Sequence, residues 1–364
     1  MATASAPGKI ILFGEHAVVY GRPALAVPVM QVHADARADF VTEKRMGETD
    51  ALATNLVLGL PLETDSTTNF TAASQVETDF PANSYSKTDK FLENWADAVR
   101  VEAPDIGLFS PLSALLADQT PHPLAAAIQK TLQHLDIVRP PAFTVTIRST
   151  IPVASGLGSG AAVSVAVIRA LAGLFERALS DEQVSQITYE IEKLHHGTPS
   201  GIDNTVIAYA KPVYFVRGQP IQTFSVGQPF TLVIADTGQA APTKESVGDV
   251  RKLWEADKSR WEAVFDKVGE IVVAAKKAIE SGEIAGLGPL MDANHALLQE
   301  MTVSSPELDR LVLAAKAAGA EGAKLSGGGR GGNMIALVQP EKAEALASAL
   351  KAAGAKNTIV TTIK

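Results

Sequence analysis

Apolar and polar positions change rhythm along this chain often enough to mark most of its elements. Lys9 to Phe13 (KIILF) is a short apolar run closed by Gly14, and a second run follows from Ala24 to Val32. With GEHAVVYG between them, the two runs predict an early strand pair. From Val41 to Asp118 the rhythm weakens into Thr, Ser, Asp, Asn and Pro, which predicts loop or a loosely packed edge and no chemistry. Leu124 to Leu135 reads as a helix, and Phe143 to Arg148 (FTVTIR) alternates as a half-buried strand does. A glycine-rich loop then leads into AAVSVAVIRALAGLFERAL, small and apolar on nearly every side, the profile of a buried helix. The next helix is announced by a capping box, Ser180 with Gln183. It continues through Val184, Ile187, Ile191 and Leu194, and Gly197 ends it.

Near Phe224–Pro229 the pattern changes, which divides the chain into expected domains at 1–225 and 226–364. Beyond that point the pattern predicts a strand (FTLVIAD), one long amphipathic helix through Trp254 and Trp261, and helices at 284–301 and 306–318. Then come a strand (AKL), a second glycine loop, a strand (NMIALV), a helix at 341–353 and a last strand (NTIVTTI). Strands separated by helices of this length predict a layered α+β or α/β architecture. No internal repeat is visible.

Composition narrows the classes of function. The 364 residues are 46% hydrophobic and 20% charged, ordinary for a globular enzyme, and the formal charge is −8. A nucleic-acid partner normally leaves a basic footprint, so none is expected. The absence of cysteine excludes disulfides, thiolate nucleophiles and Cys-based zinc sites. The seven histidines include the neighbours His195 and His196 but form no HExxH spacing. The longest apolar stretch, Gly160 to Phe175, is broken by Arg169 and is too short to span a bilayer. The opening MATASAPGKIILFGEH lacks the apolar core of a signal peptide. A soluble, cytoplasmic protein with no membrane partner is expected.

Three segments carry candidate chemistry. In IPVASGLGSGAA (151–162), Gly156, Gly158 and Ala161 match G-x-G-x-x-A formally. The loop from Arg148 is too long for a Rossmann turn, and the following helix leads to another helix instead of a strand. Gly327, Gly329 and Gly332 form a second formal match that runs into a strand, and no GxxxxGK[ST] occurs. What remains is a glycine turn opening a buried helix, whose free N–H groups and dipole suit an anion such as phosphate. A turn needing glycine only for positive φ is the plain alternative. A second glycine loop, SGGGRGG at 326–332, weighs toward phosphate. Within it Arg330 has little to pack against and is expected to face the cleft, where it could clamp a phosphate or carboxylate. An exposed ion pair with a nearby acid is as good a reading. In HGTPSGIDN (196–204), Pro199-Ser200-Gly201 forms a turn that delivers Asp203 at a fixed angle, although a lone aspartate there also reads as an Asx cap. Glu192 falls in the last turn of the preceding helix, where its charge opposes the dipole and calls for compensation, as by a metal ion. A solvated surface glutamate is the alternative.

Together these segments resemble the GHMP kinase superfamily. APGKIILFGEHAVVYG (6–21) is similar to the N-terminal signature of its mevalonate kinases, HGTPSGIDN matches the same group closely, and KLSGGGRGG matches its third glycine motif more loosely. The resemblance implies an α+β, two-domain GHMP kinase fold, with an N-terminal domain like ribosomal protein S5 domain 2 and a ferredoxin-like C-terminal domain. It implies ATP and mevalonate as partners, Mg²⁺ as cofactor, and γ-phosphate transfer to the C5 hydroxyl. By the same motifs, Asp203 would take the hydroxyl proton and Lys9 would stabilise the alkoxide. Glu15, His16 and Thr243 (in APTKES) would line the substrate pocket. Ser155, Gly156, Leu157, Gly158, Ser159 and Gly160 would wrap the ATP phosphates, and Glu192, with Ser159 as a second donor, would bind the metal. A second copy of the chain is a further candidate partner. Two departures stand out. The family usually reads GLGSSA where this chain has Gly160, and its third motif usually ends in Cys where Arg330 and Asn333 intrude. These departures admit two alternatives, a kinase of a phosphorylated mevalonate and a metabolite sensor without catalysis.

Overall fold

The computed structural model describes residues 1–41, 93–117, 122–152, 155–196 and 199–364. Most of the weakly patterned segment, the helix end expected at Gly197, and the side chains of His195 and His196 lie outside the described residues.

The first two strands are longer than their apolar runs. β1 (Ala2–Phe13) and β2 (Ala24–Phe40) pair antiparallel from Ala2 opposite Ala38 to Phe13 opposite Leu25. The extension comes from Ala34, Ala36 and Ala38, which are buried in alternation with the exposed Asp35 and Arg37. Alanine is too small to register as an apolar run, yet its alternation follows the pleat. β3 (Val99–Ala103), β4 (Leu108–Pro111), β5 (Phe143–Ser149), β6 (Val213–Phe215) and β7 (Gln222–Thr223) complete a seven-stranded sheet. Its order is β4-β3-β5-β2-β6-β7, with β1 along the other edge of β2. β5 runs antiparallel to β2 and parallel to β3.

Before β5 come the short helices α1 (Glu93–Asp97) and α2 (Leu112–Leu116), then α3 (Pro123–His134). α4 (Ser159–Leu174) packs across β1 and β2 and buries Ala161, Val165, Ile168 and Leu171, as its apolar circumference requires. α5 (Asp181–His196) starts at a realised capping box: the Ser180 N–H donates to Gln183 Oε1 at 2.9 Å and the Gln183 N–H to Ser180 Oγ at 3.2 Å. α6 (Ile202–Tyr209) follows.

The chain enters a second, four-stranded antiparallel sheet at β8 (Phe230–Asp236), joined by β9 (Gly322–Ser326), β10 (Asn333–Val338) and β11 (Asn357–Ile363) in the order β11-β8-β10-β9. With α11 (Ala343–Ala352) between β10 and β11, this is a β-α-β-β-α-β unit, as a ferredoxin-like domain requires. Its first crossover is expanded into α7 (Thr243–Ala256), α8 (Lys258–Ser281), α9 (Leu287–Glu300) and α10 (Pro306–Ala317). The single helix expected through Trp254 and Trp261 is thus two. Asp257 leaves helical geometry at φ −148° and caps the second helix by accepting the Arg260 N–H at 3.1 Å. An unbroken apolar period hid an N-cap residue of the preferred type.

β11 packs against β2, and Ser326 Oγ donates to the Ile11 carbonyl at 2.7 Å, so the two sheets meet along a shared seam. One continuous apolar core runs through both. Among the described residues no helix is long and apolar enough to cross a membrane.

Candidate active site

The seam gathers the candidate residues. Lys9 lies on β1 with its side chain 6% exposed, and its Nζ stands 2.9 Å from Asp203 Oδ1. Asp203 occupies the first turn of α6, just after Gly201, which takes a left-handed φ of 90°. The turn in HGTPSGIDN thus delivers the aspartate onto a lysine and not into a local cap.

The phosphate-loop candidate closes over this pair. The Lys9 N–H donates to the Leu157 carbonyl at 2.9 Å. Gly158 has φ 76°, and a Cβ there would lie 2.8 Å from Ile207 Cδ1 and 3.0 Å from Lys9 Cγ. Glycine is therefore required both by the backbone and by the lysine stem beneath it. Ser159 and Gly160 open α4, so the free N–H groups of that helix start face this corner of the seam.

Glu192 reaches the same place. A Cβ on Gly160 would lie 3.4 Å from Glu192 Oε1, which puts the carboxylate beside the first turn of α4. The carboxylate, at the unfavourable end of its own helix, thus lies beside the positive end of another. The surface reading of this half-buried residue is set aside. Among the described residues no group of three or more His, Asp or Glu could hold a metal ion by itself. A hard carboxylate next to a helix start suited to phosphate nevertheless fits Mg²⁺, which takes one or two carboxylates and completes its shell with phosphate oxygens and water.

Glu15 and His16 follow β1 and form a second cluster. Glu15 is 2% exposed and is ion-paired with Lys324 of β9, itself wholly buried, whose Nζ also donates to the Leu325 carbonyl at 2.6 Å. Burial pushes the Lys324 ammonium pKa down, and the Glu15 carboxylate opposes that shift. Glu15 Oε2 has no hydrogen-bond partner. His16 takes the left-handed φ of 61°, and its Nε2 lies 3.0 Å from the Gly328 carbonyl. A carbonyl only accepts, so Nε2 carries the hydrogen and Nδ1 is left as a buried acceptor without a partner. Burial lowers the His16 pKa to about 4, against the raising effect of the Gly328 bond and with a small push from Arg330, so the ring is neutral near pH 7. Thr243, the exposed first residue of α7, closes the cluster: a Cβ on Gly328 would fall 2.6 Å from Thr243 Oγ1.

Arg330 takes the second of its two readings. Its Nη1 pairs with Asp249 Oδ2 of α7 at 2.6 Å, and Nε donates to the Thr302 carbonyl at 3.3 Å. The guanidinium is spent on holding the glycine loop to α7 and the turn before α10. Sequence reasoning missed Lys324. Its signal was a lysine inside an otherwise apolar and small strand, GAKLS. It also assigned no role to the Asn333 side chain, whose Nδ2 donates to the Ser155 carbonyl across the seam.

Comparison with known proteins bears on these clusters. Residues 123–211 match the model described as GHMP kinases N terminal domain, and residues 275–356 match GHMP kinases C terminal. The chain is 34% identical to a mevalonate kinase of Pyrococcus abyssi, over 97% of its own length and 93% of the relative's. It is 33% identical to a mevalonate kinase of Thermococcus sibiricus over 96% and 93%. Among solved structures, that of L. major mevalonate kinase in complex with R-mevalonate superposes with a TM-score of 0.73 at 26% identity, covering 100% of this chain and 96% of that one.

Proposed function

The chain belongs to the GHMP kinase family and, within it, to the mevalonate kinases, and from that premise we propose that it transfers the γ-phosphate of ATP to the C5 hydroxyl of mevalonate, giving 5-phosphomevalonate and ADP. The observation that carries the chemistry is the Lys9–Asp203 pair at 2.9 Å beneath the glycine loop. Phosphoryl transfer asks for positioning and charge neutralisation more than for covalent catalysis. Asp203 takes the proton of the C5 hydroxyl, the oxygen bonds to the γ-phosphorus, and the bond to the β-phosphate oxygen breaks. Lys9 stabilises the charge that develops on the attacking oxygen. Backbone N–H groups of 155–160 hold the ATP phosphates at the start of α4. Glu192, with Ser159 as a second oxygen donor, would hold Mg²⁺, which when bound neutralises phosphate charge. Glu15 Oε2 and His16 Nδ1 are buried acceptors suited to hydroxyl donors of the substrate, with Thr243 beside them.

The engagement of Arg330 with Asp249 weighs against an already phosphorylated substrate, which would have to compete with that carboxylate for the cation. A coupled assay offering mevalonate, phosphomevalonates, galactose and homoserine tests the reading. Turnover on mevalonate alone is expected, and turnover on a phosphomevalonate in its place, or on none of the four, overturns it.

A further inference from the structure

The direction of the phosphate-loop N–H groups depends on what holds the loop carbonyls. In a trans peptide the C=O of one residue and the N–H of the next point opposite ways. The Leu157 carbonyl is anchored inward by the Lys9 N–H at 2.9 Å, which turns the Gly158 N–H away from β1. The preceding anchor comes from the other sheet, where Asn333 Nδ2 donates to the Ser155 carbonyl. Asn333 is 2% exposed and opens β10, in register with Asp236 on one side and Ser326 on the other. The residue before it is also pinned, since Gly332 N–H donates to the Gln239 carbonyl at 2.8 Å and the Gly332 carbonyl accepts from Thr237 Oγ1 at 2.9 Å. Gly156 is exposed at φ 80°, and a Cβ there would stand 3.8 Å from Asn333 Nδ2.

We propose that Asn333 is a positioning residue that fixes the Ser155–Gly156 peptide plane from the second sheet and so aims the Gly156 N–H at the ATP phosphates. The inference rests on the reading of 155–160 as the phosphate loop. It gives a role to a residue that departs from the family pattern. An amide at this position is a full donor to a buried carbonyl, which a thiol is not. Because the anchor sits in the second sheet, it also makes the shape of the nucleotide loop depend on how the two sheets are seated together.

The test is calorimetric titration of MgATP, without mevalonate, into the full-length wild type, Asn333→Ala and Asn333→Asp. Asn333→Asp keeps the shape of the side chain but can no longer donate while ionised. The Kd for ATP is expected to rise about tenfold in Asn333→Ala, the equivalent of one lost hydrogen bond to a buried carbonyl, and further in Asn333→Asp. The KM for mevalonate should stay within about twofold, a split that general loss of stability would not produce. Should the new carboxylate prevent Asn333→Asp from folding, Asn333→Ala decides alone. ATP affinity within about twofold of wild type, even with a lowered Tm, overturns the positioning role and leaves the phosphate loop standing. Failure of the wild type to bind ATP overturns both.

Discussion

Lys9 and Asp203 meet at 2.9 Å with unequal burial, the lysine side chain 6% exposed and the aspartate 34%. The ammonium is therefore fixed from behind by β1 and the glycine loop, while the carboxylate keeps a face toward the cleft. A base in that position can take a proton from a bound hydroxyl without giving up its cation. Asp203→Asn should lower kcat by ~10²–10⁴-fold, the usual loss for a positioned general base. ATP affinity should stay nearly unchanged, because the proposed role of the side chain is on the hydroxyl and not on the nucleotide. Steady-state kinetics alongside ATP titration checks this, and wild-type turnover would leave Lys9 as the main chemical group.

Glu192→Gln should raise the Mg²⁺ concentration needed for half-maximal rate, since the variant removes charge from the proposed metal-binding carboxylate. A Mg²⁺ titration of initial velocity is the measurement. A curve that does not move would overturn the metal-binding role of Glu192.

Gly160→Ser restores the hydroxyl that the family usually carries. The new Cβ would sit 3.4 Å from Glu192 Oε1, close but without overlap. With water able to fill the hydroxyl's place on Mg²⁺, turnover should stay within about tenfold of wild type, a barrier change of ~1.4 kcal/mol or less. An inactive wild type strongly rescued by Gly160→Ser would favour the sensor.

Lys324→Met should destabilise the fold by ~3–5 kcal/mol, the usual consequence of leaving one member of a buried pair uncompensated. The partner left behind is Glu15, whose side chain is 1% exposed. The double variant Lys324→Met/Glu15→Gln should recover much of the loss, because no buried charge is then stranded. Denaturant unfolding of the four proteins of the cycle measures the coupling, and additive effects would show that the two charges do not depend on each other.

His16 should make stability fall in mild acid. Its pKa drops from 6.5 to about 4 on folding, so below pH 6.5 the unfolded chain binds a proton that the folded one refuses. Its contribution is complete above pH 6.5 and is lost as the pH falls toward about 4, amounting to ~3 kcal/mol. His295, whose pKa burial also lowers, acts in the same direction. Urea midpoints at pH 7 and pH 4.5 should therefore lie closer together in His16→Asn than in wild type, and its side chain tolerates the left-handed backbone. A pH dependence equal to wild type in that variant would assign the effect to His295 and His122, whose pKa values burial also lowers.

What the sequence by itself determined is what short-range physics controls. The capping box of Ser180 and Gln183, the alternation of FTVTIR and the turn that throws out Asp203 are each complete within a few residues. The glycine loop that opens α4 was legible in the same way, but its carbonyls are held from afar by Lys9 and Asn333. Tertiary structure decided whatever needed a partner from far away. Glu15 and Lys324 are 309 residues apart, and nothing local says that a strand lysine and a turn glutamate will neutralise each other in the core. Glu192 looked badly placed because only its own helix was visible, whereas packing brings its carboxylate beside the first turn of α4. Arg330 had two equal readings until α7 brought Asp249 to it. The added length of β1 and β2 follows the same rule, since an alanine alternation takes its meaning from what packs against it, whereas the cap at Asp257 is local and was hidden by an unbroken apolar period. Backbone geometry is mostly a local property, but the desolvation and charge pairing that make a site depend on contacts between segments distant in the chain.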